Sequence, residues 1–362
     1  MSSQDLSAYI AAGKRDMLCP VEWASEGVDL PKGVDLIDQR VLPHEFQVNH
    51  YADVRSLSQA ITDMVVRGAP AIGITAAYGV VLAAREAYAQ SGDKWREAIE
   101  DNLALLVASR PTAISLQWAM TRMSSLFDSI EGDPEPVLLA EAMSLHDEDI
   151  AANIHMGELG AGLLEGACQV LTHCNAGALA TGGYGTALGV IRTAHKQGKI
   201  ASVYVCETRP WLQGARLTAW ELQQDNIPTT LLTDSAACYL YSQGDVKWVI
   251  IGADRIAANG DVCNKIGTYT HAVAARHHGV RVMVVAPTST FDPNARSGQD
   301  IPIEQRAKEE ILNFSGVKIA PEDVSVWNPT FDVTPADLID VIVTEKGIIE
   351  APDFDKIRRT MR

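Results

Sequence analysis

Two apolar runs in the middle of the chain each end in a side chain capable of proton chemistry: Val170-Leu-Thr-His-Cys-Asn175 and Val249-Ile-Ile-Gly-Ala-Asp-Arg255. Each reads as a buried parallel strand, and open α/β sheets place ligands beyond the carboxyl ends of such strands. Cys174 is a candidate reactive thiol if a helix terminus or a cation favours its thiolate; small core filling is the other use of a cysteine in an apolar run. Asp254, directly after the second run, is expected to be partly desolvated, which favours the protonated carboxyl and suits a general acid. Capping the next turn or pairing with Arg255 would equally account for an acid there. A thiol and a carboxylate brought to one crevice point to an enzyme rather than a binding module.

Between the two runs lies Asn175-Ala-Gly-Ala-Leu-Ala-Thr-Gly-Gly-Tyr-Gly-Thr-Ala-Leu-Gly189, opening a helix. Glycines let backbone N–H groups approach an anion closely, and a helix amino terminus adds favourable partial charge, so the segment could cradle a phosphate. Tight strand–helix packing would require the same glycines. The segment also comes close to a dinucleotide fingerprint, with Gly183-Tyr-Gly185 after a strand and Glu207 at the end of the next. The third glycine falls one position late, at Gly189, and the turn from Cys174 to Gly182 is long, which disfavours a nicotinamide cofactor. An anionic substrate would need fixed positive charge. Arg67, Arg110, Arg209, Arg216 and Lys265 are candidates, with those beside glycine or proline the better placed.

These side chains need a scaffold. From Gln169 onward, short β-branched runs at 169–174, 202–206, 229–233, 247–253 and 281–286 alternate with stretches of helix length. Strands so spaced need crossover connections, and the expected product is a mainly parallel sheet sandwiched by helices. Upstream, Arg55–Val66, Ala71–Ala89, Lys94–Ala108, Ser115–Ser129 and Val137–Glu165 carry apolar residues at helical spacing. Gly132-Asp-Pro-Glu-Pro136 interrupts that pattern where a hinge or domain boundary fits. Residues 1–50 are irregular apart from strand-like pieces such as Val34–Ile37. Gly68–Ala84 is uncharged but contains Gly68, Pro70, Gly73 and Gly79, so a buried, glycine-packed helix is expected rather than a membrane span.

The 362 residues, 47% of them apolar, are enough for two or three domains with sizeable cores. A formal net charge of −16 repels polyanions, which argues against nucleic acid or an anionic membrane as a partner. The six cysteines are scattered without a Cys-x-x-Cys pair, so reduced thiols and no metal site are expected from spacing. The opening Met-Ser-Ser-Gln-Asp-Leu lacks the basic segment and apolar core of a secretory signal, and a cytoplasmic location is expected.

Five runs, two of them overlapping those above, occur in order: Val66-Arg-Gly-Ala-Pro-Ala-Ile-Gly73, Thr172-His-Cys-Asn-Ala-Gly177, Glu207-Thr-Arg-Pro-Trp-Leu-Gln-Gly-Ala-Arg216, Gly252-Ala-Asp-Arg-Ile-Ala-Ala-Asn-Gly-Asp261 and Asn264-Lys-Ile-Gly-Thr-Tyr269. Together with Asn328-Pro-Thr-Phe-Asp-Val-Thr-Pro335 they closely resemble the methylthioribose-1-phosphate isomerases, and the likeness runs from Val21 to Gly347. Those enzymes share a wider family with the α, β and δ subunits of the eukaryotic translation-initiation exchange factor and with archaeal ribose-1,5-bisphosphate isomerase. The resemblance implies an α/β fold, a Rossmann-like, mainly parallel sheet domain over residues 146–362 preceded by a smaller, largely helical domain over 1–145, and a homodimer. It implies a phosphorylated sugar substrate, no cofactor and no metal. By the same resemblance Cys174 and Asp254 form the catalytic pair, and Arg67, Gly68, Ala69, Arg110, Gln213, Asn264 and Lys265 contact substrate. The chain departs from the pattern at Ser115, where asparagine is expected, and at Cys263, where alanine is common. The segment ahead of Val21 has no counterpart.

Overall fold

A computed structural model of the chain describes residues 3–12, 15, 17–25, 31–111, 113–314 and 316–361. Met1 and Ser2 of the opening and Thr112 of the Arg110 motif lie outside the described residues. The chain forms two compact units: Met1–His155 with Ala176–Gly189, and Met156–Asn175 with Val190–Arg362.

The first unit pairs a small antiparallel sheet with a bundle of helices. Strands β1 (Val21–Ala24), β2 (Gly33–Ile37) and β3 (Val48–Tyr51) form the sheet in sequence order. Only β2 has a sequence signal, because runs of four residues are too short for alternation to stand out. The helix Ala69–Ser91 is buried on nearly every side along Ala71–Ala84, the pattern of a core helix. Around it pack Val54–Thr62, Glu100–Ser109 and Ile114–Ser124. Asp53 caps the first of these, its carboxylate accepting the Ser56 N–H at 2.8 Å. That helix stops at Thr62, short of the expected Val66, because Met64 turns left-handed at φ 59° and the Val65 N–H returns to the Ala60 carbonyl. Val65 and Val66 then point into the core. Lys94–Ala108 is likewise two helices, Trp95–Ala98 and Glu100–Ser109, with Ile99 buried between them.

The second unit is built on a seven-stranded sheet. Its strands β4 (Cys168–Thr172), β5 (Ile200–Cys206), β6 (Thr229–Leu232), β7 (Val246–Ile251) and β10 (Arg281–Val285) all run parallel. Val341–Thr344 continues the parallel array beside β10, and Gly347–Glu350 closes that edge antiparallel. The order across the sheet is Gly347–Glu350, Val341–Thr344, β10, β7, β4, β5, β6. Central strands β7 and β10 are buried along almost their whole length, which explains their continuous Val/Ile runs. A second, four-stranded sheet joins β8 (Arg255–Ala257), β9 (Val262–Lys265), β11 (Phe291–Asp292) and Phe331–Thr334. No helix among the described residues is long and apolar enough to cross a membrane.

Candidate active site

The strand order locates the site. From β4 the chain winds outward through β5 and β6, then returns to the other side of β4 to lay down β7 and β10. Winding direction therefore reverses between β4 and β7, and the loops leaving two such strands diverge to opposite faces, opening a crevice at their carboxyl ends. Leu171 lies beside Val249 in the parallel register. Cys174 follows the end of β4 and Asp254 follows the end of β7, so both leave neighbouring strands at the same edge.

Cys174 is buried and held from both sides. Its backbone is left-handed at φ 62°, an uncommon conformation for a side chain other than glycine. Its N–H donates to the Thr208 hydroxyl oxygen at 2.8 Å, and its carbonyl accepts the Thr218 hydroxyl at 2.6 Å. Thr208 is left-handed too, at φ 65°, and its own hydroxyl donates to the Cys206 carbonyl at 3.0 Å. Thr218 ends a single π-helical turn, Gly214–Thr218, a feature that often marks functional sites. A Cβ on Gly214 would lie 1.7 Å from the Cys206 carbonyl oxygen, so only glycine fits where this turn crosses the end of β5. After Cys174, Asn175 donates to Glu221 at 2.9 Å, and Glu221 receives Arg192, which also pairs with Asp225 at 2.7 Å. Glu221 is fully buried, and this pairing is what makes its charge tolerable there.

Asp254 is half-buried, and its N–H donates to the Cys263 carbonyl at 3.0 Å, joining the loop after β7 to β9. Burial, with the Asp254 charge adding to it, pushes the Cys263 thiol up to about 12. The following Arg255 pairs with Asp292 at 3.3 Å. Asn264 and Lys265 are the next residues of β9, both buried, with the Asn264 amide donating to the Thr268 hydroxyl at 3.0 Å. The Lys265 ammonium lies 4.8 Å from the centre of the Phe331 ring. Gln213 is buried, and its side-chain oxygen has no hydrogen-bond partner among the described residues, leaving an acceptor to be satisfied at this edge. Asp332, which accepts the Gly267 N–H at 2.7 Å, is raised by burial to about 6.

Sequence gave no sign of a buried cluster next to Cys174. His173, Cys206, Asp234 and His271 come together, although 33, 28 and 37 residues separate them along the chain. Burial lowers His173 to about 4 and His271 to about 3, so both rings are neutral at ordinary pH.

The remaining candidates belong to the first unit. Arg67 is buried, Gly68 is left-handed at φ 97° and precedes the central helix, and Ala69 begins it. A Cβ on Gly68 would stand 2.5 Å from the Ala180 Cα. The Ala69 carbonyl accepts the Ser115 hydroxyl, so the serine ties two helices together. Half-buried Arg110 caps the end of Glu100–Ser109. Three amides of the glycine-rich segment are turned inward rather than toward a ligand: Gly182 N–H goes to Asp149 at 2.7 Å, Gly183 N–H to the Thr181 hydroxyl at 3.3 Å, and Gly185 N–H to the Gly183 carbonyl at 2.8 Å. Its glycines serve close packing, since a Cβ on Gly182 would meet His146 at 2.6 Å.

The chain matches the initiation factor 2 subunit family over residues 65–351. It is 55% identical over 349 residues to the methylthioribose-1-phosphate isomerase of Nitrosococcus oceani, spanning 96% of this chain and 99% of that one. The structure of 5-methylthioribose 1-phosphate isomerase from Pyrococcus horikoshii superimposes with a TM-score of 0.88 at 41% identity, covering 99% of both chains. A structure from A. fulgidus described as the delta subunit of translation initiation factor eIF-2B reaches a TM-score of 0.83 at 42% identity, over 94% of this chain and 99% of that one.

Proposed function

The chain belongs to the initiation factor 2 subunit family, and within it we propose that the protein isomerises 5-methylthioribose 1-phosphate to 5-methylthioribulose 1-phosphate, a step of methionine salvage. The observation that carries this reading is near-full-length likeness to isomerases combined with a thiol and an acid leaving β4 and β7 at the switch point.

The substrate explains why such a pair is needed. Phosphate blocks the anomeric oxygen of an aldose 1-phosphate, so the furanose cannot open to a free aldehyde. Asp254, acting as general acid from its half-buried place after β7, gives a proton to the ring oxygen as that oxygen's bond to C1 breaks. Hydrogen then passes from C2 to C1 while the C2 hydroxyl proton leaves, producing the ketose with no net oxidation. Cys174 takes up a proton from C2 in an enediol-like route or stabilises the cationic carbon in a hydride route. In D2O the first route places solvent deuterium at C1 and the second retains the substrate hydrogen. Lys265 and Arg67 supply positive charge for the phosphate with Arg110, while Gln213, Asn264 and the backbone of Gly68 and Ala69 orient the sugar. The working form is a cytoplasmic homodimer, which light scattering would register at twice the 39.1 kDa chain mass.

The assay that tests this follows ketose formation from methylthioribose 1-phosphate beside ribose 1,5-bisphosphate, without nucleotide. Turnover of the first compound is expected; turnover of the second alone would move the protein to the bisphosphate branch. The A. fulgidus relative favours a second reading, a non-catalytic exchange-factor subunit, which predicts no turnover of either sugar.

A further inference from the structure

We propose that His173, Cys206, Asp234 and His271 form a four-coordinate site for a borderline-soft divalent metal ion, with Zn2+ the best match. One candidate ligand atom from each lies within 4.8 Å of all the others. Zinc bonds of about 2.0–2.3 Å in a tetrahedron put ligand atoms roughly 3.3–3.8 Å apart, so a small contraction closes the shell. The His173 Nδ1 and His271 Nε2 atoms are already 3.3 Å apart, and Asp234 Oδ1 stands 3.9 Å from His173 Nδ1.

Three of the ligands arrive through the fold itself. His173, Cys206 and Asp234 stand at or just past the ends of β4, β5 and β6, three adjacent parallel strands, and His271 comes from the first turn of the helix Thr268–His278. The surroundings orient them. The Ile266 carbonyl lies 2.9 Å from His173 Nε2 and can only accept, so that nitrogen carries the hydrogen and Nδ1 keeps its lone pair. Asp234 is steered by the Thr208 and Arg209 N–H groups, at 2.7 and 2.8 Å, the kind of outer contact that fixes metal ligands. Two neutral imidazoles, a carboxylate and a thiolate sum to −2, which a divalent ion cancels, so the filled site is neutral in a buried place. Binding transfers one proton, from the Cys206 thiol, to solvent. Asp234, the least buried of the four, gives the ion its way in. Nitrogen and sulfur donors select zinc over magnesium or calcium. The ion would clamp three strand ends to one helix, a structural role independent of the isomerase reading.

Cobalt(II) titrated into chelator-stripped full-length protein tests the site. The expected result is one equivalent bound, with tetrahedral visible bands and a near-ultraviolet thiolate-to-cobalt band, both abolished by Zn2+, and a Zn2+-dependent rise in Tm. C206S should lose the thiolate band and H271Q the stoichiometric binding. The exposed Cys238, 3.8 Å from His278, is the competing surface position, and C238S should change nothing. Absence of the thiolate band in the unmodified protein, its survival in C206S, or its loss in C238S overturns the proposal. Should C206S or H271Q fail to fold, X-ray absorption of the zinc-loaded parent decides: one sulfur with three nitrogen or oxygen neighbours supports the site, and any other shell sinks it.

Discussion

The core around the helix Ala69–Ser91 and the carboxyl edge of the seven-stranded sheet are both densely packed, yet they are built from opposite materials. The helix buries alanine, valine, leucine and tyrosine, and nearly all of its backbone is satisfied within itself. The sheet edge gathers left-handed residues at Cys174, Thr208 and Leu212, a buried Arg192–Glu221 pair and, at Gln213, an acceptor with no partner among the described residues. Each left-handed non-glycine residue costs about 1–3 kcal/mol and persists only where neighbours over-determine it. One region is organised to be stable, the other to hold specific atoms in place, and equal chemical insults should separate them.

The sharpest contrast comes from the proposed pair. Cys174→Ser and Asp254→Asn should each lower kcat by about 10²–10⁴-fold while thermal unfolding stays close to that of the parent. Near-parental turnover in either variant would remove that residue from the chemistry. Glycine-to-alanine exchanges compare the regions directly. Gly214→Ala drives a Cβ into backbone at 1.7 Å and should cost about 3 kcal/mol or prevent soluble expression. Gly79→Ala meets side-chain ends rather than backbone, the two Leu106 methyls at 2.7 and 3.2 Å and a Leu57 methyl at 3.4 Å. The helix also gains from alanine, so its net effect should stay within about 1 kcal/mol. Equal losses in a urea melt would erase the distinction.

Thr208→Val deletes the acceptor of the Cys174 N–H, leaving a buried donor at a cost of about 1–3 kcal/mol. If Thr208 positions the thiol, kcat falls while KM holds; a uniform loss of stability with unchanged kcat would make it merely structural. The smallest effect lies in the helical unit. His146 is lowered by burial to about 4, its Nε2 donating to the Gly182 carbonyl at 2.8 Å and its Nδ1 lying 3.1 Å from the Tyr78 hydroxyl. The unfolded ring binds its proton below about 6.5 and the folded ring only near 4. This group therefore takes stability away progressively as pH falls through that window and has no effect above it. His146→Gln should reduce that slope of Tm against pH by this ring's share, His173 and His271 still contributing theirs, and an unaltered slope would place the linkage elsewhere.

The five strands β4, β5, β6, β7 and β10 and the buried helix were legible because long β-branched runs and sustained helical spacing are local signals. Strand ends were less so: the expected strand 169–174 stops at Thr172 because Cys174 is left-handed, a property no propensity announces. Apart from β2, the short strands of the smaller sheets carried too few residues to show a period. Cys174, Asp254 and the cationic candidates could be picked out by position beside apolar runs and glycines. Thr208, Thr218 and the His173 cluster could not, since their meaning arises only when β4, β5 and β6 lie side by side. The glycines of 182–185 were visible, but their use in packing depends on His146 and Asp149, more than thirty positions upstream.

Residues 176–189 leave β4, complete the first unit and return, so neither unit is a continuous stretch of polypeptide. A fragment stopped at residue 155 would lack the Gly182 carbonyl that receives His146 and the Leu179 carbonyl that receives Gln39 at 2.7 Å. On the ribosome, the amino-terminal half must wait for the first strand of its successor to emerge before its interior can close, and any attempt to express the halves separately has to carry that excursion along.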